Sequence, residues 1–161
     1  FPKWFEEQKI NTVHVTDVAR ALVHLVSNGA VGEVYNLADK FDTDQTKLNA
    51  ILQTVFGIQI GHMGTIESQA SKLLSAESIL EEVNAEHAPT WSKMVSEAKL
   101  DYSPLTPWLD LEAVSNKSLG LDGSHIESTG FKYEHPQVTE ALLREEVQYA
   151  VSEGWFPPNL I

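Results

Sequence analysis

Six histidines, four tyrosines and no cysteine set the chemical repertoire of this 161-residue chain. Without cysteine there is no thiolate nucleophile, no thiolate metal ligand and no disulfide framework. No two histidines stand four apart on a helical run with a third ligand close by, so their spacing does not describe a zinc site. The G-x-S-x-G turn that presents a serine nucleophile does not occur. Gly61-His62-Met63-Gly64 carries only two glycines and reads as a plain loop rather than a phosphate cradle. The remaining candidates are His62, Met63, Tyr102 and Trp108, joined by Trp91, as the lining of a pocket for a small-molecule substrate. The competing reading is that these side chains fill gaps between helices, as aromatic residues and Met commonly do. Glu81-Glu82 and Glu145-Glu146 read as solvated helix faces.

Composition narrows the partners. Eleven Lys and Arg stand against 23 Asp and Glu, for a net charge of -12. Arg20 and Arg144 are the only arginines. A chain this acidic repels phosphate, which argues against nucleic acid and against an anionic membrane surface. No apolar run approaches the ~20 residues that span a bilayer. Phe1-Pro2-Lys3-Trp4-Phe5-Glu6-Glu7 lacks the apolar core of a signal peptide, and the chain reads as one that opens at an internal point of a longer protein. The compartment expected is the cytoplasm.

The elements that must position these residues follow from periodicity. Asn11 to Val15 alternates like a short strand, and Gly32 to Leu37 reads as a second, more buried one. His14, between two valines, is expected to hydrogen-bond a backbone group rather than to act in catalysis. Between the two runs, Ala19, Leu22, Val23 and Val26 recur at helical spacing over 17–27, with Thr16 or Asp17 as N-cap and Gly29 as a left-handed C-cap. Strand, helix and strand with short joints predict a right-handed crossover in a parallel sheet. Asp42 and Gln45 bracket the next helix start, Leu48, Ile51, Leu52, Val55 and Phe56 form its stripe, and Gly57 stops it. Ile58-Gln59-Ile60 has the pattern of a short strand. A helix is predicted over 66–83, a short one capped by Thr90, a loop at Pro104 and Pro107, one turn at 124–127, and a last helix from Thr139 to Gly154. The chain is thus expected to be α/β, with sheet and helix in residues 1–57 and a mostly helical lobe in 58–161.

The run Asn11-Thr12-Val13-His14-Val15-Thr16-Asp17-Val18-Ala19, followed by Gly32-Glu33-Val34-Tyr35-Asn36-Leu37, resembles the extended short-chain dehydrogenase/reductase family, the NAD-dependent epimerase/dehydratase type. In that family a VHV-x-DVA turn precedes a GE-x-YN strand by about fifteen residues. Ser115 to Leu119 and Asp122 to Phe131, with Gly130-Phe131 at its end, resemble the family's distal segment ahead of the terminal helix. The resemblance covers nearly the whole chain in order. It implies the terminal strands and helix of a Rossmann-type parallel sheet, followed by a helical substrate-binding lobe.

The resemblance also implies what stands outside the chain. The family binds NAD or NADP on a Gly-rich turn and uses a Tyr with Lys four residues on as its acid/base pair. Tyr35, Tyr102, Tyr133 and Tyr149 have no Lys at that offset, and no glycine run has the cofactor spacing. Cofactor and chemistry are therefore expected in a missing N-terminal half of the same protein, as are the helices of any homodimer. Two positions where the family's sugar-nucleotide enzymes carry arginine read Lys9-Ile10 and Asp110 to Ala113 here, which favours a smaller or less anionic hydroxyl or carbonyl substrate. The expectation is a substrate-binding portion of an NAD(P)-dependent oxidoreductase or epimerase, not catalytically complete alone. The rival reading is a non-catalytic dehydrogenase-like binding or scaffold module.

Overall fold

A computed structural model describes residues 8–60, 76–110 and 120–160. Four α-helices occur among the described residues: α1 (Val15–Asn28), α2 (Gln45–Phe56), α3 (Ala76–Glu97) and α4 (Glu140–Ser152). Two short 3-10 turns lie at His125–Thr129 and Pro158–Leu160. None of the described helices is long and apolar enough to cross a membrane. The described residues divide into two compact units, one of 8–50 and 120–139, the other of 51–60, 76–110 and 140–160.

The expected parallel sheet is not there. No β-strand occurs among the described residues, and the β-pairing found in them is a single antiparallel bridge between Lys9 and Asp44. The Rossmann-type reading of residues 1–57 is overturned by this. Residues 11–14 and 33–39 have no regular secondary structure, and their main-chain groups go elsewhere. The Asp39 N–H donates to the Thr12 carbonyl at 2.7 Å, Ile10 N–H to Thr43 at 2.9 Å, and His125 Nδ1 donates to the Val34 carbonyl at 3.2 Å. Alternating side chains favour an extended backbone, but a strand exists only where a neighbour supplies a ladder. Val15, counted as the end of the first strand, is instead the first residue of α1, and 58–60 is irregular.

α1 begins two residues earlier than its sequence suggests. His14 is its N-cap, with Nδ1 accepting the Thr16 N–H at 3.2 Å, and this is the backbone bond expected of it. Asp17, read as a cap, sits in the first turn and is fully buried. Gly29 is not left-handed (φ -78), and the positive φ falls at Gly32 (87). Gly29 is needed for closeness instead, because a Cβ there would lie 2.8 Å from the Leu25 carbonyl oxygen. The inner side of α1 packs Ala21 against Ile126 and Phe131, with Leu25, Tyr35, Leu37 and Tyr133 around them. Arg20 stacks over the Phe131 ring at 5.4 Å, and His24 bonds Thr129 Oγ1 at 2.9 Å.

In the second unit, α3 continues where two helices were predicted. It runs through Pro89, and Thr90 is no cap: its hydroxyl donates to the Glu86 carbonyl one turn back, at 3.1 Å. Predicted helical residues 66–75 lie outside the described residues. Arg144 of α4 donates to the Thr54 and Val55 carbonyls at 3.1 and 3.3 Å, which satisfies the exposed end of α2. Gly57 (φ 63) stops α2 and Gly154 (φ 71) stops α4, both as their positions suggest. Phe156 in the tail touches Phe56 and Trp91, each at 6.0 Å between ring centres.

The irregular run 100–110 is tied to α3 by a buried amide. Asn84 donates from Nδ2 to the Leu109 carbonyl at 2.8 Å and accepts the Leu109 N–H on Oδ1 at 2.9 Å. Replacing it with alanine removes both partners at once, and each buried group left without one costs about 1–3 kcal/mol. Asn84→Ala is therefore expected to lower the Tm by about 4–8 °C, taking ~2 kcal/mol at the ~2–4 °C per kcal/mol of a protein this size. Thermal unfolding followed by circular dichroism measures it.

Candidate functional site

The first unit is built around the buried Asp17 carboxylate. One oxygen accepts the Glu134 N–H and the other the His135 N–H, each at 2.8 Å, and Arg20 closes on it at 2.6 Å. Burial works to raise this carboxyl, and the two backbone N–H groups with Arg20 overcome it, so the group is held below the usual carboxylate range. α1 is thereby fastened to the run that follows Gly130-Phe131. His14 and His135 lie ring to ring beside the same junction, 4.1 Å apart between centres.

Next to the hub is a half-open pocket of about 220 Å³. Its wall comes from Asn11 and Thr12, from Ala38, Asp39, Lys40, Asp42 and Thr43, and from Leu121, Asp122, Gly123, Ser124 and Glu127 with Tyr133. The Thr12 hydroxyl bonds the Asp39 carboxylate and lies 3.1 Å from the Thr43 hydroxyl. Asp39 Oδ1 also accepts the Phe41 N–H at 3.0 Å, a tight local turn. Lys40 pairs with Glu127 at 2.6 Å, and Lys9 pairs with Asp42. Asp42 has the left-handed backbone (φ 49) that aspartate tolerates better than most residues.

Gly123 lets two of these stretches meet. A Cβ there would fall on the carbonyl oxygen of Ala38 and stand 2.6 Å from its nitrogen and 3.0 Å from the Tyr133 hydroxyl. Tyr133 donates to the Gly123 carbonyl at 3.0 Å. Burial pushes the Tyr133 phenol up, helped by the Glu127 and Asp17 charges and opposed by the Ala38 N–H. It stays protonated at neutral pH and serves as a structural donor. The Ser124 hydroxyl and N–H hold Asp122 below its ordinary value, and hydrogen bonding from Lys9 does the same for Asp42. Of the charged side chains lining the pocket, four are carboxylates and one is Lys40, so the wall is net negative and disfavours a phosphate.

The side chains proposed from sequence as pocket lining are His62, Met63, Tyr102, Trp108 and Trp91. His62 and Met63 lie outside the described residues. Tyr102 and Trp108 belong to the second unit, on the 100–110 run, and are 69% and 61% exposed. Trp91 is half-buried and donates its indole N–H to the Leu105 carbonyl at 3.0 Å. None of these described residues lines the pocket in the first unit. Lys9, considered as a cation for a diphosphate, is engaged by Asp42, and its ammonium is held above its usual value chiefly by that hydrogen bond. Sequence reasoning missed Thr12, Asp39, Thr43, Gly123 and Tyr133. The one local signal for them was Asp122-Gly123-Ser124, a turn with an aspartate able to bond two residues on, as it does to the Ser124 N–H at 2.8 Å.

Comparison with family models, with curated proteins and with solved structures finds no match for this chain.

Proposed function

We propose that this chain is the substrate-binding carboxyl-terminal portion of an NAD(P)-dependent oxidoreductase or epimerase of the extended short-chain dehydrogenase type. It acts on a hydroxyl or carbonyl compound and is not catalytically complete alone. NAD or NADP is held mainly by a preceding portion of the same protein. The observation that carries this reading is the meeting of three separately quoted motifs. Asp17 of the DVA turn bonds the backbone just beyond Gly130-Phe131. Ala38, directly after the GE-x-YN run, abuts Gly123 of the distal segment. Motifs far apart in sequence and close in space are what one ancestral folding unit would supply, and the carboxylate-rich pocket beside them disfavours an anionic substrate.

The test is a thermal-shift measurement on the longer protein with NAD and with NADP. A ligand at 100 times its Kd stabilises the native state by about 2.7 kcal/mol, so one dinucleotide is expected to raise the Tm by several degrees. If neither moves it, the reading falls.

A second reading, a dehydrogenase-like binding or scaffold module without catalysis, draws on Tyr133. Its phenol is raised by burial and committed to the Gly123 carbonyl, so it offers no acid/base group to the adjoining pocket. A cofactor-dependent rise in Tm without substrate-dependent change in nicotinamide absorbance would favour that module.

A further inference from the structure

Of the asparagines in the chain, Asn28 is the one followed by glycine. The pair matters chemically, because a main-chain nitrogen whose own residue lacks a side chain can close on the asparagine Cγ without crowding. Packing keeps glycine at 29, since a Cβ there would lie 2.8 Å from the Leu25 carbonyl oxygen. Asn28 is exposed and is the last residue of α1, and Gly29 beyond it is extended (φ -78, ψ 146). Three contacts hold the pair in its resting form. The Gly29 N–H donates to the Leu25 carbonyl at 2.9 Å, and Asn28 Nδ2 donates to the His24 carbonyl at 2.9 Å and stands 3.5 Å from His24 Nδ1. All three belong to the final turn of a helix, the part that opens most readily. Other asparagines are placed differently. Asn49 and Asn84 are buried, and Asn11, Asn36 and Asn159 precede the bulkier Thr12, Leu37 and Leu160. We propose that Asn28 is a site of spontaneous modification, converted to aspartate and isoaspartate by the Gly29 nitrogen at a rate gated by opening of the last turn of α1.

Water is the sole co-reactant, and nothing is oxidised or reduced. Once the turn opens, the Gly29 nitrogen gives its proton to solvent and bonds to the Asn28 Cγ. The Cγ–Nδ2 bond breaks, Nδ2 takes a proton from solvent and leaves as ammonia, and a succinimide ring joins the two residues. Water then opens the ring at either carbonyl. One opening gives aspartate, the other isoaspartate, with the main chain rerouted through Cγ. Neither product fits the original turn. The Thr129 hydroxyl donates to the Ile126 carbonyl at 2.6 Å, so toward His24 Nε2, 2.9 Å away, it accepts. A neutral His24 therefore carries its proton on Nε2 and turns the Nδ1 lone pair toward Asn28. A carboxylate at 28 has no donor for that lone pair or for the His24 carbonyl, and it adds negative charge at the negative end of the helix. Conversion loosens the end of α1, and it runs one way.

The test ages the 161-residue chain at mildly alkaline pH, with and without urea, and maps its peptides by mass. Isoaspartyl methyltransferase with a labelled methyl donor is the probe for isoaspartate. The peptide holding Asn28 is expected to gain both products ahead of every other asparagine. Conversion there is expected to run roughly 5–30-fold faster in urea, where no helix end guards the Gly29 nitrogen. Asn28→Ser is expected to remove the methyl label from that peptide while the circular dichroism stays that of the parent. Asn28→Asp, a stand-in for one product, is expected to lower the Tm by about 2–4 °C. Equal rates with and without urea overturn the proposal, because the helix end would then be no gate. Earlier conversion at another asparagine overturns it as well, and so does a methyl label that survives Asn28→Ser. An unchanged Tm in Asn28→Asp overturns the loosening of α1.

Discussion

Asp17→Ala is expected to cost about 3–5 kcal/mol, the range measured when one member of a buried charged pair is removed. The carboxylate is fully buried and serves three donors, namely the N–H groups of Glu134 and His135 and the Arg20 guanidinium. Truncation strands all three, and Arg20 loses the anion that neutralised it. At ~2–4 °C per kcal/mol the Tm would fall by roughly 6–20 °C. The same carboxylate makes stability depend on pH in a definite direction. Its value is depressed in the folded protein, so its contribution is complete above the ordinary carboxylate value and is lost as pH falls through the lower folded one. Urea unfolding between pH 7 and pH 2 is expected to show that acid-side loss in the parent and a smaller one in Asp17→Asn. Equal acid sensitivity in the two proteins would remove Asp17 from the role given to it here.

Gly123→Ala is the second large effect expected. The added methyl group meets backbone, the carbonyl oxygen and nitrogen of Ala38, rather than the movable end of a side chain. Overpacking commonly costs about 1–3 kcal/mol, and the upper end applies because neither strand of backbone can yield without breaking the Tyr133 bond to Gly123. A fall in Tm of about 6–12 °C is expected. Gly120→Ala is the matched control, since the nearest atom to its added Cβ is the Lys9 side chain at 3.9 Å. If both substitutions are tolerated alike, the close approach of Ala38 to Gly123 is not a feature of the folded protein.

Much of the helical framework could be read from residue order, for a local reason. The stripes of α1, α2 and α4 and the stops at Gly57 and Gly154 depend on neighbours three or four residues away. Misreadings arose where a residue has more than one use. Asp17 has the chemistry of an N-cap, yet donors from residues 134 and 135 claim its oxygens, and His14 caps α1 in its place. Pro89 and Thr90 resemble a helix boundary, but the Thr90 hydroxyl bonds back to Glu86 and α3 runs on. Val13 and Val34 alternate like strand residues, and a strand additionally needs a partner that no local pattern supplies. The pocket was the least legible part. Thr12 finds Asp39 and Thr43 at separations of 27 and 31, and Leu121 bonds Asn11 across 110. Tyr102 and Trp108 were conspicuous by type, and neither is among the residues of that wall.

The reach of the Asp17 clamp has a bearing on biosynthesis. Its donor at Glu134 lies 117 residues downstream, so a nascent chain emerging at about 5–20 residues per second exposes α1 for roughly 6–23 s before that donor is made. Through that interval the helix has neither its anion clamp nor the Phe131 side of its core, and its apolar flanks are open to whatever meets them at the ribosome exit. Holdase chaperones recognise such stretches, and a slow codon run placed between residues 30 and 130 would lengthen their opportunity.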